Sequence, residues 1–133
     1  MSTFSDCPMT SATWILVAED EDSVRRVLVR VLVRAGFSVL EAQDGYAALE
    51  QLQKHPHLDL LVADVVMPRM SGTALAQRVR DDFPHMPILM MSGHTQSEKD
   101  RSELPGVPFL KKPFDIKQIV EIATKLTITR DLD

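Results

Sequence analysis

Five short apolar runs punctuate the chain: Trp14–Ala18, Phe37–Glu41, Leu58–Ala63, Pro87–Met91 and Val107–Leu110. The central ones, Leu58-Asp59-Leu60-Leu61-Val62-Ala63 and Ile88-Leu89-Met90-Met91, are nearly continuous rather than alternating. A strand covered on both faces has this composition, because neither side of its pleat meets water. Met90 and Met91 accordingly read as core packing.

Between the runs the period changes. Val24, Val27, Leu28, Val31 and Leu32 mark one apolar helix face, with Arg25, Arg26, Arg30 and Arg34 on or beside the wet side. Asp22 is the candidate N-cap and Gly36 the candidate stop. A second helix is predicted over Gly45–Lys54, burying Ala48, Leu49 and Leu52 and ending before His55-Pro56. A third covers Gly72–Asp82 and ends before Pro84. The last, Ile116–Leu126, buries Ile116, Ile119, Val120, Ala123 and Leu126. The fourth, Thr95–Glu103, is polar almost throughout and is expected to be short or mobile. Strand and helix signals that alternate in this way imply a parallel sheet with helices on both faces, a three-layer α/β fold. The folded unit is expected over 13–127, between a loose N-terminal tail, 1–12, and a frayed C-terminal one, 128–133.

Composition narrows the function. The chain's 133 residues fit one domain. Its net charge, 15 − 19 = −4, is the wrong sign for a nucleic-acid footprint. Cys7 is the sole cysteine, so no intramolecular disulfide can form. No apolar run approaches the roughly 20 residues a membrane span needs, and the first residues lack the pattern of a signal peptide. A cytoplasmic protein without membrane or direct nucleic-acid contact is expected. His55, His57 and His85 show no metal-ligand spacing.

In an open α/β sheet the ligand crevice lies beyond the carboxyl ends of the strands. Glu19-Asp20-Glu21-Asp22 follows the first run, Asp64 ends the third, Ser92-Gly93 follows the fourth and Lys111-Lys112-Pro113 the fifth. Carboxylates, a hydroxyl and an amine would thus share one edge. Packed carboxylates repel unless some protonate or a cation sits among them. A hard oxygen site completed by water and phosphate suits Mg²⁺. A carboxylate can itself be the nucleophile of phosphoryl transfer, giving an aspartyl phosphate. Cations and donors must then neutralise the equatorial oxygens. Glu21 and Asp22 read as a solvated, helix-capping pair, and Lys111 as plain surface.

These residues, in this order, resemble the receiver domains of two-component response regulators, the CheY-like superfamily. The likeness runs from about Thr13 to Leu126. It rests on Ile15-Leu16-Val17-Ala18-Glu19-Asp20-Glu21, on Asp64-Val65-Val66-Met67-Pro68-Arg69-Met70-Ser71-Gly72, on Met91-Ser92-Gly93 and on Lys112-Pro113-Phe114. The resemblance implies a doubly wound, flavodoxin-like sheet of five strands in the order 2-1-3-4-5, with five helices. It implies Asp64 as phosphoacceptor and a Mg²⁺ site from Glu19, Asp20, Asp64 and the backbone carbonyl of Val66, with Glu19 acting through a water. Ser92 and Lys112 would hold the phosphate, Phe109 would be the switch aromatic, and the Lys112–Pro113 peptide would be cis.

Three departures from the family pattern matter. Glu19 is one methylene longer than the common Asp. Phe109 lacks the hydroxyl of Tyr, so a switch there rests on burial alone. Val66 and His94 stand at the positions that tune loss of the phosphate; Val66 has no side-chain group to orient a water, and His94 could offset that.

The resemblance implies a histidine kinase or phosphotransfer protein as phosphodonor and a downstream protein target. It leaves room for a homodimer through the last two helices. No turnover enzyme is expected, only self-phosphorylation and autodephosphorylation. With no output domain after Leu126, the chain fits either a stand-alone regulator or the receiver piece of a hybrid histidine kinase. Three rival classes carry less. A haloacid-dehalogenase-like phosphatase places a second Asp two residues after its nucleophile, where Val66 stands. A flavin or nucleotide carrier wants a phosphate loop after the first strand, where four acids stand. A receiver-like module that binds partners without phosphorylation has no need of the complete acid, Asp64, Ser92 and Lys112 set.

Overall fold

Five parallel strands form one sheet: β1 (Trp14–Ala18), β2 (Ser38–Ala42), β3 (Leu60–Asp64), β4 (Ile88–Ser92) and β5 (Phe109–Lys111), in the order β2-β1-β3-β4-β5. This is the expected 2-1-3-4-5 arrangement. The structure, a computed structural model, describes residues 12–93 and 102–132, with side chains to 128. Among these, four helices pack on the sheet: α1 (Asp22–Arg34), α2 (Gly45–Lys54), α3 (Gly72–Asp82) and α4 (Ile116–Leu132). The helix expected at Thr95–Glu103 lies, but for its last two residues, outside the described residues, as do His94 and the N-terminal tail up to residue 11.

The continuous strands split into two cores by alternation. Leu16, Ala18, Leu61, Ala63 and Met90 face one side and pack with Ala48 and Leu52 of α2 and Leu75, Ala76 and Val79 of α3. Ile15, Val17, Leu60, Val62, Leu89 and Met91 face the other, against Leu28 and Leu32 of α1 and Ile119 and Ala123 of α4. Neighbouring residues thus serve opposite cores, which is why the runs carry no polar alternation. Burying these side chains away from water is the main stabilising term of such a layered domain.

Helix ends follow local chemistry. Asp44 caps α2, its carboxylate accepting from the Ala47 amide at 2.8 Å, and Ser71 caps α3 through Ala74 N–H at 3.1 Å. After α1, Gly36 adopts φ +105°, and the amides of Gly36 and Phe37 donate back to Val33 O and Leu32 O. A residue with a Cβ is strained in that conformation, so Gly36 stops the helix as expected.

Several expectations need correction. The N-cap of α1 is Glu21, whose side chain makes no capping bond, and Asp22 lies in the first turn. Val27 is 55% exposed; it sits about 100° round the helix from Leu28, beyond the edge of the buried stripe. Arg25, expected on the wet side, is buried. Ile116, expected in the core, is exposed as the first residue of α4, with no preceding helical turn to cover it. The same helix runs six residues beyond Leu126, to Leu132; Thr127 is buried, its hydroxyl donating to Ala123 O at 2.9 Å. Strand β3 starts at Leu60 rather than Leu58, since the Asp59 carboxylate instead takes the Trp14 amide at 2.9 Å.

Candidate phosphoryl and metal site

The carboxyl edge of the sheet gathers the candidate residues. Glu19 leaves β1 with its amide bonded to Ala42 O of β2 at 3.0 Å, which fixes the start of the acidic loop. Its side chain is 1% exposed, and Oε2 accepts from the Glu21 amide at 3.1 Å. Asp64, the last residue of β3, is buried, and its Oδ1 accepts from Val66 N–H at 3.3 Å. Oxygens of Glu19, Asp20 and Asp64 all lie within 4.8 Å of one another. Asp20 is exposed.

Lys112 enters this cluster from the loop after β5. Its ammonium donates to Asp64 Oδ2 at 2.9 Å and to Glu19 Oε1 at 3.1 Å. The backbone of Lys112 is tied to Ser92 O at 2.8 Å, and the Lys112–Pro113 peptide is cis, as expected. Ser92 ends β4, one residue beyond Met91, which pairs with Asp64. The Ser92 hydroxyl is fully buried with no hydrogen-bond partner among the described residues. Val66 is 57% exposed on the loop after Asp64. Phe109, half-buried on the α2/α3 side, pairs with Met90.

The electrostatics match a site that wants a cation. Burial pushes the Glu19 carboxyl up to about 7; the Glu21 amide works against this, the Asp64 charge adds to it, and Lys112 opposes it. Burial also works against the Lys112 ammonium, but the hydrogen bond and charge of Asp64, then Glu19, outweigh it and hold its pKa above the usual lysine value. One ammonium therefore serves two buried carboxylates and leaves one of them reluctant to ionise. A divalent cation among three hard oxygen donors would relieve that strain, and the oxygen-only set fits Mg²⁺. The Ser92 hydroxyl is a ready donor for an anion arriving at the same edge.

Two contributors escaped the sequence reading. Arg25 donates from Nη1 to the Glu19 carbonyl at 2.8 Å. The signal was present: Arg25, Leu28 and Leu32 fall at i, i+3 and i+7, so Arg25 shares the buried face. Arg69, in the β3–α3 loop with φ 69°, pairs with Asp44 and lies over the Tyr46 ring, 5.6 Å from its centroid. A positive φ at arginine has no sequence signature.

The family model of the response regulator receiver domain matches residues 15–124. The chain is 36% identical over 116 residues to the response regulator receiver protein CpdR of Brucella abortus (strain 2308), covering 86% of this chain and 96% of CpdR. It is 34% identical to the sensor kinase CckA of the same organism, covering 92% of this chain but only 13% of the kinase. Among solved structures, a response regulator receiver protein from Sinorhizobium medicae WSM419 superposes with a TM-score of 0.82 at 30% identity, covering 91% of this chain and 98% of that one. The match spans every strand of the sheet and the residues at their carboxyl ends, and on it the chain belongs to the response regulator receiver domain family of two-component systems.

Proposed function

We propose that this receiver domain accepts a phosphoryl group on Asp64 from the phosphohistidine of a histidine kinase or phosphotransfer protein, in a Mg²⁺-dependent reaction. The observation that carries the reading is the Lys112 ammonium bonded to both Asp64 and Glu19, with Asp20 beside them. Glu19, Asp20, Asp64 and the Val66 carbonyl are the groups that would hold Mg²⁺. When bound, the ion supplies positive charge against the phosphoryl oxygens.

The remaining chemistry belongs to the chain. A carboxylate oxygen of Asp64 attacks phosphorus in line as the P–N bond to the donor imidazole breaks. The bonding electron pair leaves with the imidazole nitrogen, and the product is an acyl phosphate on Asp64. Lys112, already within hydrogen-bond distance, shifts its donation to a phosphoryl oxygen. Ser92, whose hydroxyl has no partner among the described residues, gains an acceptor. Drawing Ser92 toward the phosphate biases the β4–β5 edge and Phe109, and so the face between β5 and α4 that a protein partner would read. The family's work is signalling, and turnover here is confined to gain and loss of Asp64's own phosphate.

Intact-mass spectrometry after acetyl phosphate treatment tests the proposal. A single phosphoryl adduct should form with Mg²⁺, vanish in EDTA and be absent from Asp64→Asn. Label persisting in that variant would sink the assignment. No adduct and no Mg²⁺ binding in the unaltered protein would leave a module that acts by binding alone.

A further inference from the structure

We propose that Arg25 is a positioning residue of the metal site, holding the acidic loop after β1 at the spacing a divalent cation requires; this rests on the phosphoacceptor reading of that site. The Arg25 side chain is nearly buried, and its guanidinium ties both ends of the acidic loop to the neighbouring strand. Nη1 donates to the Glu19 carbonyl at 2.8 Å, Nη2 to Asp22 Oδ1 at 2.6 Å and Nε to Glu41 Oε1 at 3.0 Å. Glu19 opens the acidic loop, Asp22 closes it, and Glu41 stands on the neighbouring strand β2. A planar guanidinium fixes the directions of its donors, so one residue sets the distance between both loop ends and the sheet.

The loop needs such a brace. Glu19, Asp20, Glu21 and Asp22 are consecutive acids, and their mutual repulsion favours spreading. Lys112 pairs with the Glu19 side chain and, among the described residues, makes no hydrogen bond to the backbone between Glu19 and Asp22. Asp20 is exposed and takes no hydrogen bond on its carboxylate from another described residue, so its place follows the backbone on either side. Beside the Glu19 amide bond to Ala42 O and the Glu21 amide bond to Glu19 Oε2, Arg25 holds that backbone through the Glu19 carbonyl and the Asp22 side chain. Groups that orient metal ligands without touching the metal are worth about 10- to 100-fold in affinity when removed.

The test is calorimetric titration of Mg²⁺ into the unaltered protein, Arg25→Gln, Arg25→Lys and Glu41→Ala, with hydrogen exchange of the metal-free forms alongside. Arg25→Gln should weaken Mg²⁺ at least about tenfold. Arg25→Lys should restore part of the affinity, because an ammonium serves fewer of the three acceptors. Glu41→Ala should give a smaller loss, and exchange should quicken in the amides of residues 19–24 while β4 stays protected. Folded Arg25→Gln with unchanged Mg²⁺ affinity overturns the inference. Should Arg25→Gln fail to fold, Glu41→Ala decides, and unchanged affinity and exchange there overturn it equally. Absence of Mg²⁺ binding by the unaltered protein would instead overturn the phosphoacceptor reading and this inference with it.

Discussion

The Lys112 ammonium lies 2.9 Å from Asp64 Oδ2, joining residues 48 positions apart at the ends of two strands that are not neighbours in the sheet. Between them runs β4, whose Ser92 carbonyl holds the Lys112 amide. The ammonium is thereby aimed across one strand at the proposed phosphoacceptor, with Glu19 sharing its charge.

Lys112→Met should therefore expose the cost of the carboxylate pair. With EDTA at pH 8, denaturant unfolding should show a loss of about 1–3 kcal/mol, less than for a fully buried pair because Lys112 is partly exposed. At pH 6 the loss should shrink, since Glu19 can then take up a proton. An equal loss at both pH values would mean that the lost charge interaction is the one with Asp64, with Glu19 taking no part.

Glu19 gives a pH dependence of defined sign. Its folded pKa of about 7 lies above the ordinary 4.5, so the folded protein binds the proton more tightly than the unfolded chain. The stabilisation this proton brings is fully present below pH 4.5 and is lost as pH rises to about 7. In EDTA the unfolding free energy should fall by about 3 kcal/mol across that window, before the opposing contributions of ordinary acids. Glu19→Gln should flatten the slope, because an amide carries no charge to bury. Persistence of the full slope in Glu19→Gln would assign it to other groups.

Much of this was legible in the chain. The unbroken apolar strands and the acids, hydroxyl and amine that end them are local features, and each fell at the expected strand end. Boundaries such as Leu60 and the extension of α4 were less legible because they go with contacts formed only in the fold, such as the Trp14 amide on the Asp59 carboxylate and the burial of Thr127. Arg25 was hidden for a related reason. A charged residue on an amphipathic helix reads as solvated, and only the fold brings Glu41 and the Glu19 carbonyl to it. The Ser92 hydroxyl, without a hydrogen-bond partner among the described residues, likewise stands out only when the burial of its surroundings is known.

Asp44 should show the opposite pH behaviour from Glu19. The Ala47 amide, then Arg69, hold its carboxyl below the usual aspartate value. Its contribution is thus present above the unfolded pKa near 3.8 and is lost as pH falls through the lower folded value. Asp44→Ala removes the cap of α2 and should cost about 1–2 kcal/mol at pH 7. Asp44→Asn keeps a side-chain acceptor for Ala47 and should cost less while shifting acid unfolding. Arg69→Ala should cost less than Asp44→Ala, because the Arg69 side chain is mostly solvated. Thermal melts at pH 7 and pH 3 would rank the three, and Asn behaving like Ala would show that charge rather than capping dominates.

Two glycines that start helices should respond to different degrees to alanine. At Gly72 a Cβ would lie 1.8 Å from the backbone oxygen of Asp64, while the Gly72 amide donates to Val65 O at 2.8 Å. Neither backbone can yield without parting α3 from the end of β3, so Gly72→Ala should cost about 3 kcal/mol or more. Because the displaced strand end carries Asp64, any folded Gly72→Ala protein should also bind Mg²⁺ more weakly. At Gly45 the nearest atoms, 2.7–2.8 Å away, belong to the Met70 side chain. The Met70 thioether can swing aside, but its Cβ, 2.8 Å away, moves only with the Met70 backbone, so Gly45→Ala should cost about 1–2 kcal/mol, less than Gly72→Ala. Urea denaturation of the two variants measures the difference directly. A Gly72→Ala protein as stable as Gly45→Ala would mean that α3 can move off β3 freely, and the fixed placement of Asp64 against that helix would have to be abandoned.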